Sequence, residues 1–300
     1  MEGKNILVKY NKYLITTVIS SILILSCSNG GSSVNASTDS TSEPGGNDGS
    51  AVNVKSKVLM ELFTSTTCGP CLPQNTKLND YLNPESSVYA NDLANDWIIL
   101  RYHVWWPSSG DPYYDWNTAP VIDRESYYSV GYVPHMFVQG QVDAGGTAAG
   151  WRTQARLALD GVSPFNIQIT GARDGYNLSG NVNVSSAGDV NNLGFRLFVA
   201  VTHDNSQYQA PNGQTVFDQT FIDFLTLDNS SGAVSYGEPL NLGANETFTK
   251  SYNWTLDSNW PANSGVSWST EDLTIVAFVQ FDNSGPNEKK IFQVEALSFD

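Results

Sequence analysis

"SKVLMELFTSTTCGPCLPQNTKLNDYL", residues 56–82, decides how the first half of the chain folds. Val58 to Phe63 is a short apolar run bounded by polar residues, the pattern of a buried strand. A polar stretch then leads into a segment of helical character, with Leu72, Leu78 and Leu82 as its apolar contacts. Cys68 and Cys71 therefore fall on a strand-to-helix turn, with Gly69 and Pro70 between them. The N-terminus of a helix offers free N–H groups and positive partial charge, which would stabilise a thiolate at Cys68. Pro70 suits the first helical turn, where its missing N–H costs nothing. The spacing lets a second thiol attack a mixed disulfide formed on the first, so Cys68 is expected as nucleophile and Cys71 as resolving thiol. A structural Cys68–Cys71 staple and a metal clip are the other readings of the same pair.

The cysteine count narrows the compartment. Only one other cysteine exists, Cys27, and it closes the apolar run "YLITTVISSILILS", which Lys4, Lys9 and Lys12 precede. The run is too short to span a bilayer comfortably and has the shape of a secretory h-region. "ILSC", residues 24–27, is similar to a bacterial lipobox, so residues 1–26 are expected to be a lipoprotein signal peptide and Cys27 the lipidation site. Residues 27–54, rich in Gly, Ser and Asn, read as a flexible tether. The expected location is the bacterial cell envelope, with the chain lipid-anchored to the outer membrane on its periplasmic or surface face. Thirty acids against 15 lysines and arginines give a net charge of −15, so nucleic acid is not expected as a partner.

With Gly-Pro inside the pair and a strand before it, the turn resembles the active-site loop of the thioredoxin superfamily. That resemblance implies a second mark, a cis proline facing the dithiol, and Val133-Pro134 in "SVGYVPHMFVQGQ" (129–141) supplies the candidate. It also implies a buried carboxylate behind the resolving cysteine. Glu61 is the one acid in the strand, although it stands one residue further upstream than the family pattern, and Thr67 stands where a tryptophan often precedes the first cysteine. Cys68, Cys71, Pro134 and Glu61 are thus the expected catalytic residues. Between strand and proline lies an insertion rich in aromatics, of which Trp105 and Trp106, with Val133, are expected to grip substrate; the alternative is that these aromatics form the core of a small helical lobe starting near Pro120. "VLMELFT", "YHVWW", "GDP" and "YVPHMFVQG" are also similar to bacterial outer-membrane lipoproteins that carry a thioredoxin-like domain followed by a β-sandwich.

The expected fold is therefore an α/β thioredoxin-like domain with a helical and aromatic insertion over residues 55–161, closed by a helix from Trp151 to Leu159, and an all-β immunoglobulin-like sandwich over 162–300. The second half shows short alternating runs such as "FNIQITG", "YNLSGNVNV", "FRLFVAVTH" and "ETFTKSYNW", separated by Gly, Asn, Asp and Ser turns, and no catalytic constellation. The leading functional reading is a membrane-anchored thiol–disulfide oxidoreductase that acts on protein thiols and disulfides with a separate redox partner. The second is a non-catalytic surface lipoprotein that binds a protein or glycan, with the cysteine pair as a structural disulfide. Copper or zinc handling through His103, His135 and the two cysteines is the third. No cofactor is expected, and no metal is assigned to the site.

Overall fold

The structure is a computed structural model and describes residues 53–91, 94–228, 230–261 and 265–299. The expected signal peptide, Cys27 and nearly all of the tether lie outside the described residues. In chain order the first half forms β1 (Val54–Lys55), β2 (Val58–Thr64), α1 (Cys71–Leu82), β3 (Trp97–His103), α2 (Pro112–Trp116), α3 (Thr118–Tyr128), β4 (His135–Val138), β5 (Val142–Gly145), α4 (Ala148–Ala158) and β6 (Val162–Ser163). The second half adds β7 (Phe165–Asp174), β8 (Asn177–Ser186), β9 (Phe195–His203), β10 (Ser206–Gln207), β11 (Val216–Phe217), β12 (Thr220–Phe224), β13 (Gly237–Pro239), β14 (Thr247–Thr255), β15 (Leu273–Phe281) and β16 (Ile291–Ser298).

Every residue of β2 is buried, which is why its sequence is an unbroken apolar run apart from Glu61 and Thr64. It pairs parallel with β3 and antiparallel with β4, and β5 forms the edge beyond β4. Alternation along the strands divides two cores. Met60, Leu62, Ile99 and Met136 pack with Leu78 and Tyr81 of α1 and Trp151 of α4. Leu59, Phe63, Leu100, Tyr102 and Phe137 pack with Val121 and Tyr128 of α3.

The sheet does not end at β3. Thr220 of β12 pairs in parallel with Arg101, β12 runs antiparallel to β9, and β15 and β16 complete the order β16-β15-β9-β12-β3-β2-β4-β5, with β13 as a further neighbour of β9. A thioredoxin-like α/β domain with a sheet of its own is therefore not what the structure shows. Around Arg101 the backbone edge of β3 is paired by a strand from the other half of the chain, the Arg101 N–H donating to the Gln219 carbonyl at 2.9 Å. Among the described residues strand outweighs helix, 39% against 20%.

A second sheet, ordered β14-β8-β7, covers part of the large one and makes the β-sandwich. Ile167, Val182, Val184 and Tyr252 meet Val199, Val201, Ile275 and Ala277 across the interface. Two glycines shape this layer. A Cβ on Gly180 would stand 2.0 Å from the Thr170 carbonyl oxygen and 2.5 Å from the Tyr252 hydroxyl, and one on Gly171 only 2.1 Å from that hydroxyl. The Tyr252 ring lies across both positions, and its hydroxyl donates to the Thr170 carbonyl at 3.1 Å. A ring laid over two glycines restores the contact area that missing side chains would forfeit.

Candidate functional site

Cys68 and Cys71 are joined in a disulfide, with Cα atoms 5.3 Å apart, at the turn from β2 into α1. Both are buried, at 1% and 0% exposure. Three segments hold the turn. The Cys71 N–H donates to Cys68 Sγ at 3.1 Å, closing the turn on itself. From the loop after β3, the Asp111 carboxylate accepts the Thr66 N–H at 2.7 Å, and the Ser108 carbonyl accepts the Thr67 hydroxyl at 2.9 Å. From the second half of the chain, the Asn212 amide donates to the carbonyls of Ser65 and Cys68 at 3.2 and 3.1 Å, while the Asn212 N–H donates to the Thr66 carbonyl at 3.0 Å. The Val133–Pro134 peptide is cis, as the sequence predicts, and the Val133 carbonyl oxygen lies 3.6 Å from Cys68 Sγ. Pro134 itself is buried and Val133 half-buried.

Glu61 is committed elsewhere. Its carboxylate is fully buried against Arg124 of α3, with Oε1 accepting from Arg124 Nε at 3.1 Å and from the Tyr102 hydroxyl at 3.1 Å, and Oε2 accepting from the Tyr128 hydroxyl at 2.5 Å. Arg124 also donates to Gln280 of β15 at 2.9 Å, so the cluster spans both halves of the sheet. Burial alone would lower the Arg124 guanidinium, but the Glu61 carboxylate, with Tyr128 and Tyr102, raises it above its ordinary value. Burial and the same carboxylate push the Tyr102 hydroxyl well up. The carboxylate is a paired structural ion, and every partner it has is on the sheet or α3.

The aromatic insertion divides. Trp105 is 52% exposed and Tyr132 47% exposed, whereas Tyr113 and Tyr128 are buried in separate cores. Trp106 packs against the α3 core and donates its indole N–H to Glu125 at 3.1 Å, so it does not join Trp105 as an open gripping surface. Most of these rings therefore pack into the two cores that flank α2 and α3, and do not make a separate helical lobe. The histidines are spoken for as well. His103 Nδ1 lies 2.8 Å from Asp111, whose carboxyl burial would raise but which His103 and the N–H groups of Thr66 and Tyr114 hold below its usual value. His135 Nε2 lies 2.7 Å from Asp143, and the Tyr132 ring stacks on the His135 ring at 4.2 Å. Among the described residues, no group of three or more His, Cys, Asp or Glu is placed to hold a metal.

Four residues that matter here carry no motif. Asp111 caps α2, accepting from the Tyr113 and Tyr114 N–H groups at 3.0 and 3.2 Å; the sequence signal was the Asp-Pro pair that opens a helix. Asn212 and Arg124 are visible in the sequence only as ordinary polar residues. Arg101 is buried on the opposite face from Glu61, with Asn79 of α1 accepting one of its N–H groups while Nε and Nη1 have no partner. Burial lowers its guanidinium, and Asp218 and Asp204 offset only part of that. Asn79 also lines a cleft of about 200 Å³ with Leu72, Thr76 and Gly213 to Val216.

No protein-family model matches the chain, and no curated protein matches it. Solved structures do. HBP35 of Porphyromonas gingivalis is similar over 81% of this chain and 75% of its own, at 17% identity and a TM-score of 0.64. A protein from Agrobacterium tumefaciens is similar over 83% of this chain and 97% of its own, at 15% identity and a TM-score of 0.51. A DUF3823 family protein from Bacteroides ovatus overlaps 46% of this chain at 12% identity, with a TM-score of 0.25 that carries no argument. At such identities the first two likenesses concern the fold alone.

Neither HBP35 nor the Agrobacterium protein is described as a thioredoxin or an oxidoreductase, and the resemblance to the thioredoxin superfamily and to lipoproteins bearing such a domain is corrected, with the redox enzyme drawn from it. The physical reason lies in the turn. Exchange needs a sulfur that an incoming thiol can reach, and both sulfurs are enclosed. The carboxylate assigned to move the proton is locked to Arg124.

Proposed function

We propose that this chain is a non-catalytic binding lipoprotein of the bacterial envelope, anchored through lipid on Cys27, with Cys68–Cys71 as a structural staple and a protein or glycan as its partner. The observation that carries the reading is the enclosure of the disulfide by the Asp111 loop and Asn212, which leaves neither sulfur open to a substrate. The fold shared with HBP35 of Porphyromonas gingivalis is consistent with it. The residues between Cys27 and the start of β1 at Val54 act as the tether between the anchor and the folded body, and the folded body stands on the periplasmic or surface face of the outer membrane.

The test is redox equilibration of the mature chain against dithiol buffers, followed by thiol labelling and an insulin-reduction assay. The expected result is a reduction potential below about −300 mV, the range of structural disulfides. No catalysed reduction of insulin is expected, and the Cys68→Ser/Cys71→Ser chain should retain its binding. A potential between about −270 and −120 mV, together with rapid native labelling of Cys68, would overturn the reading.

A further inference from the structure

The outer face of the small sheet is polar and almost free of charge. On β14, β8 and β7 the residues turned away from the core form five cross-strand rows, and thirteen of their fifteen positions are Asn, Gln, Ser or Thr. The two exceptions are Ala172 and, at the hairpin end, Asp174. The central rows are Gln168–Asn183–Thr249 and Thr170–Asn181–Ser251. No lysine, arginine, glutamate or aromatic residue stands on this face, in a chain whose net charge is −15. Lys250, the one cation of β14, points inward and pairs with Glu238 at 2.5 Å.

Asparagine is disfavoured in strands, and threonine would serve an exposed sheet face better. Here the asparagines are ordered by their neighbours. The hydroxyls of Thr249, Ser251 and Thr255 donate to the amide oxygens of Asn183, Asn181 and Asn177 at 2.8, 2.7 and 3.0 Å. Each pair fixes an amide so that its NH₂ remains a donor and the partner hydroxyl oxygen remains an acceptor. None of the three NH₂ groups makes a hydrogen bond within the described residues. Strands about 4.7–4.9 Å apart, with same-face residues about 6.6–6.8 Å apart along each, make this a regular lattice of donors and acceptors without charge.

From that lattice we infer that the outer face of β14-β8-β7 binds a neutral polysaccharide. The inference rests on the binding reading above and names its ligand class. A protein partner would call for the aromatic, Met or Arg anchors that mark interface cores, and none is present. An anionic glycan or nucleic acid would need cations, and the face has none. A neutral polymer of hydroxylated rings offers repeated donors and acceptors, so many weak contacts act together along one chain.

The experiment is affinity electrophoresis of the full mature chain in native gels cast with dextran, soluble starch or hydroxyethyl cellulose, with polygalacturonate as the charged control. Retardation by at least one neutral polymer and none by polygalacturonate is expected. The N181D/N183D chain should bind at least tenfold more weakly, and T249V, which keeps the side-chain shape but removes one hydroxyl, should be weakened with an unchanged melting temperature. No retardation by any of the three neutral polymers, equal retardation by polygalacturonate, or full retention of binding by both variants overturns the inference. An inert disulfide with no retardation sinks this inference alone, whereas a reactive disulfide sinks the reading beneath it.

Discussion

Two guanidiniums are buried against opposite faces of the central sheet, and they are satisfied to different degrees. Arg124 meets the Glu61 carboxylate, the Tyr128 hydroxyl and Gln280, which ties α3 to strands from both halves of the chain. Arg101 meets Asn79, keeps two nitrogens without partners, and has only the half-buried Asp204 and Asp218 to balance it. On the Arg124 face the junction of the halves is a closed ion network. On the Arg101 face it is held by a strand pair, the loop around Asn212 and a cleft. The difference teaches that a continuous sheet can be locked by a buried ion pair on one side and by amide contacts, Asn75 to Gln214 and Asn79 to Asp218, on the other.

The comparison breaks first at Arg124. Arg124→Met strands the Glu61 carboxylate in an apolar core and should cost about 3–5 kcal/mol in urea unfolding, a loss that Glu61→Gln in the same chain should partly reverse. On the other face, Cys68→Ser/Cys71→Ser removes the staple, and because the closed loop is so short the unfolding free energy should fall by only about 2 kcal/mol. Asn212→Ala withdraws donors from two carbonyls of the same turn. It should cost about 1 kcal/mol and raise the rate at which the thiols are labelled under reducing conditions. Arg101→Met deletes orphaned donors along with the charge, so its effect on unfolding should stay within about 1 kcal/mol of zero; a loss as large as that of Arg124→Met would erase the contrast.

The smallest effect is a pH dependence on the Arg101 face. His203 shares a register row with Thr220 and, through it, with Arg101. Burial holds its imidazole below the ordinary value, against opposing effects of the Ser269 carbonyl, Asp272 and Asp218. The unfolded chain therefore binds the proton first as the solution is acidified. Stability from this group is full above about pH 6.5 and declines as the pH falls from there towards the folded value. Chemical denaturation at pH 7 and pH 5 should show the decline, and His203→Gln should flatten it.

Much of this framework was legible in the residues. The apolar run of β2 and the alternation of β7, β8, β9 and β14 to β16 announce strands, and the cis bond at Val133-Pro134, which the structure contains, was expected only from the family resemblance. What the sequence did not reveal was the joining of the halves. β12, "TFIDF", is five residues long and interrupted by Asp223, and its pairing with β3 links positions 101 and 220, a separation that no local pattern records. Glu61 was legible as an unusual acid within a strand, but its partner Arg124 is 63 residues away and looks like any helical arginine. The turn at Cys68 resembles thioredoxin only locally, because what holds it includes Asn212 from the other half of the chain.

The unbroken sheet also sets how the protein can come apart. Cutting the chain near residue 161 would bare the backbone groups that β3 and β12 share around Arg101 and Thr220, and unpaired strand edges are templates for unwanted pairing. Heat should therefore melt the described residues in a single calorimetric transition, and a protease should find no stable half to leave behind. The two halves of the sequence are thus expected to behave in solution as one cooperative unit.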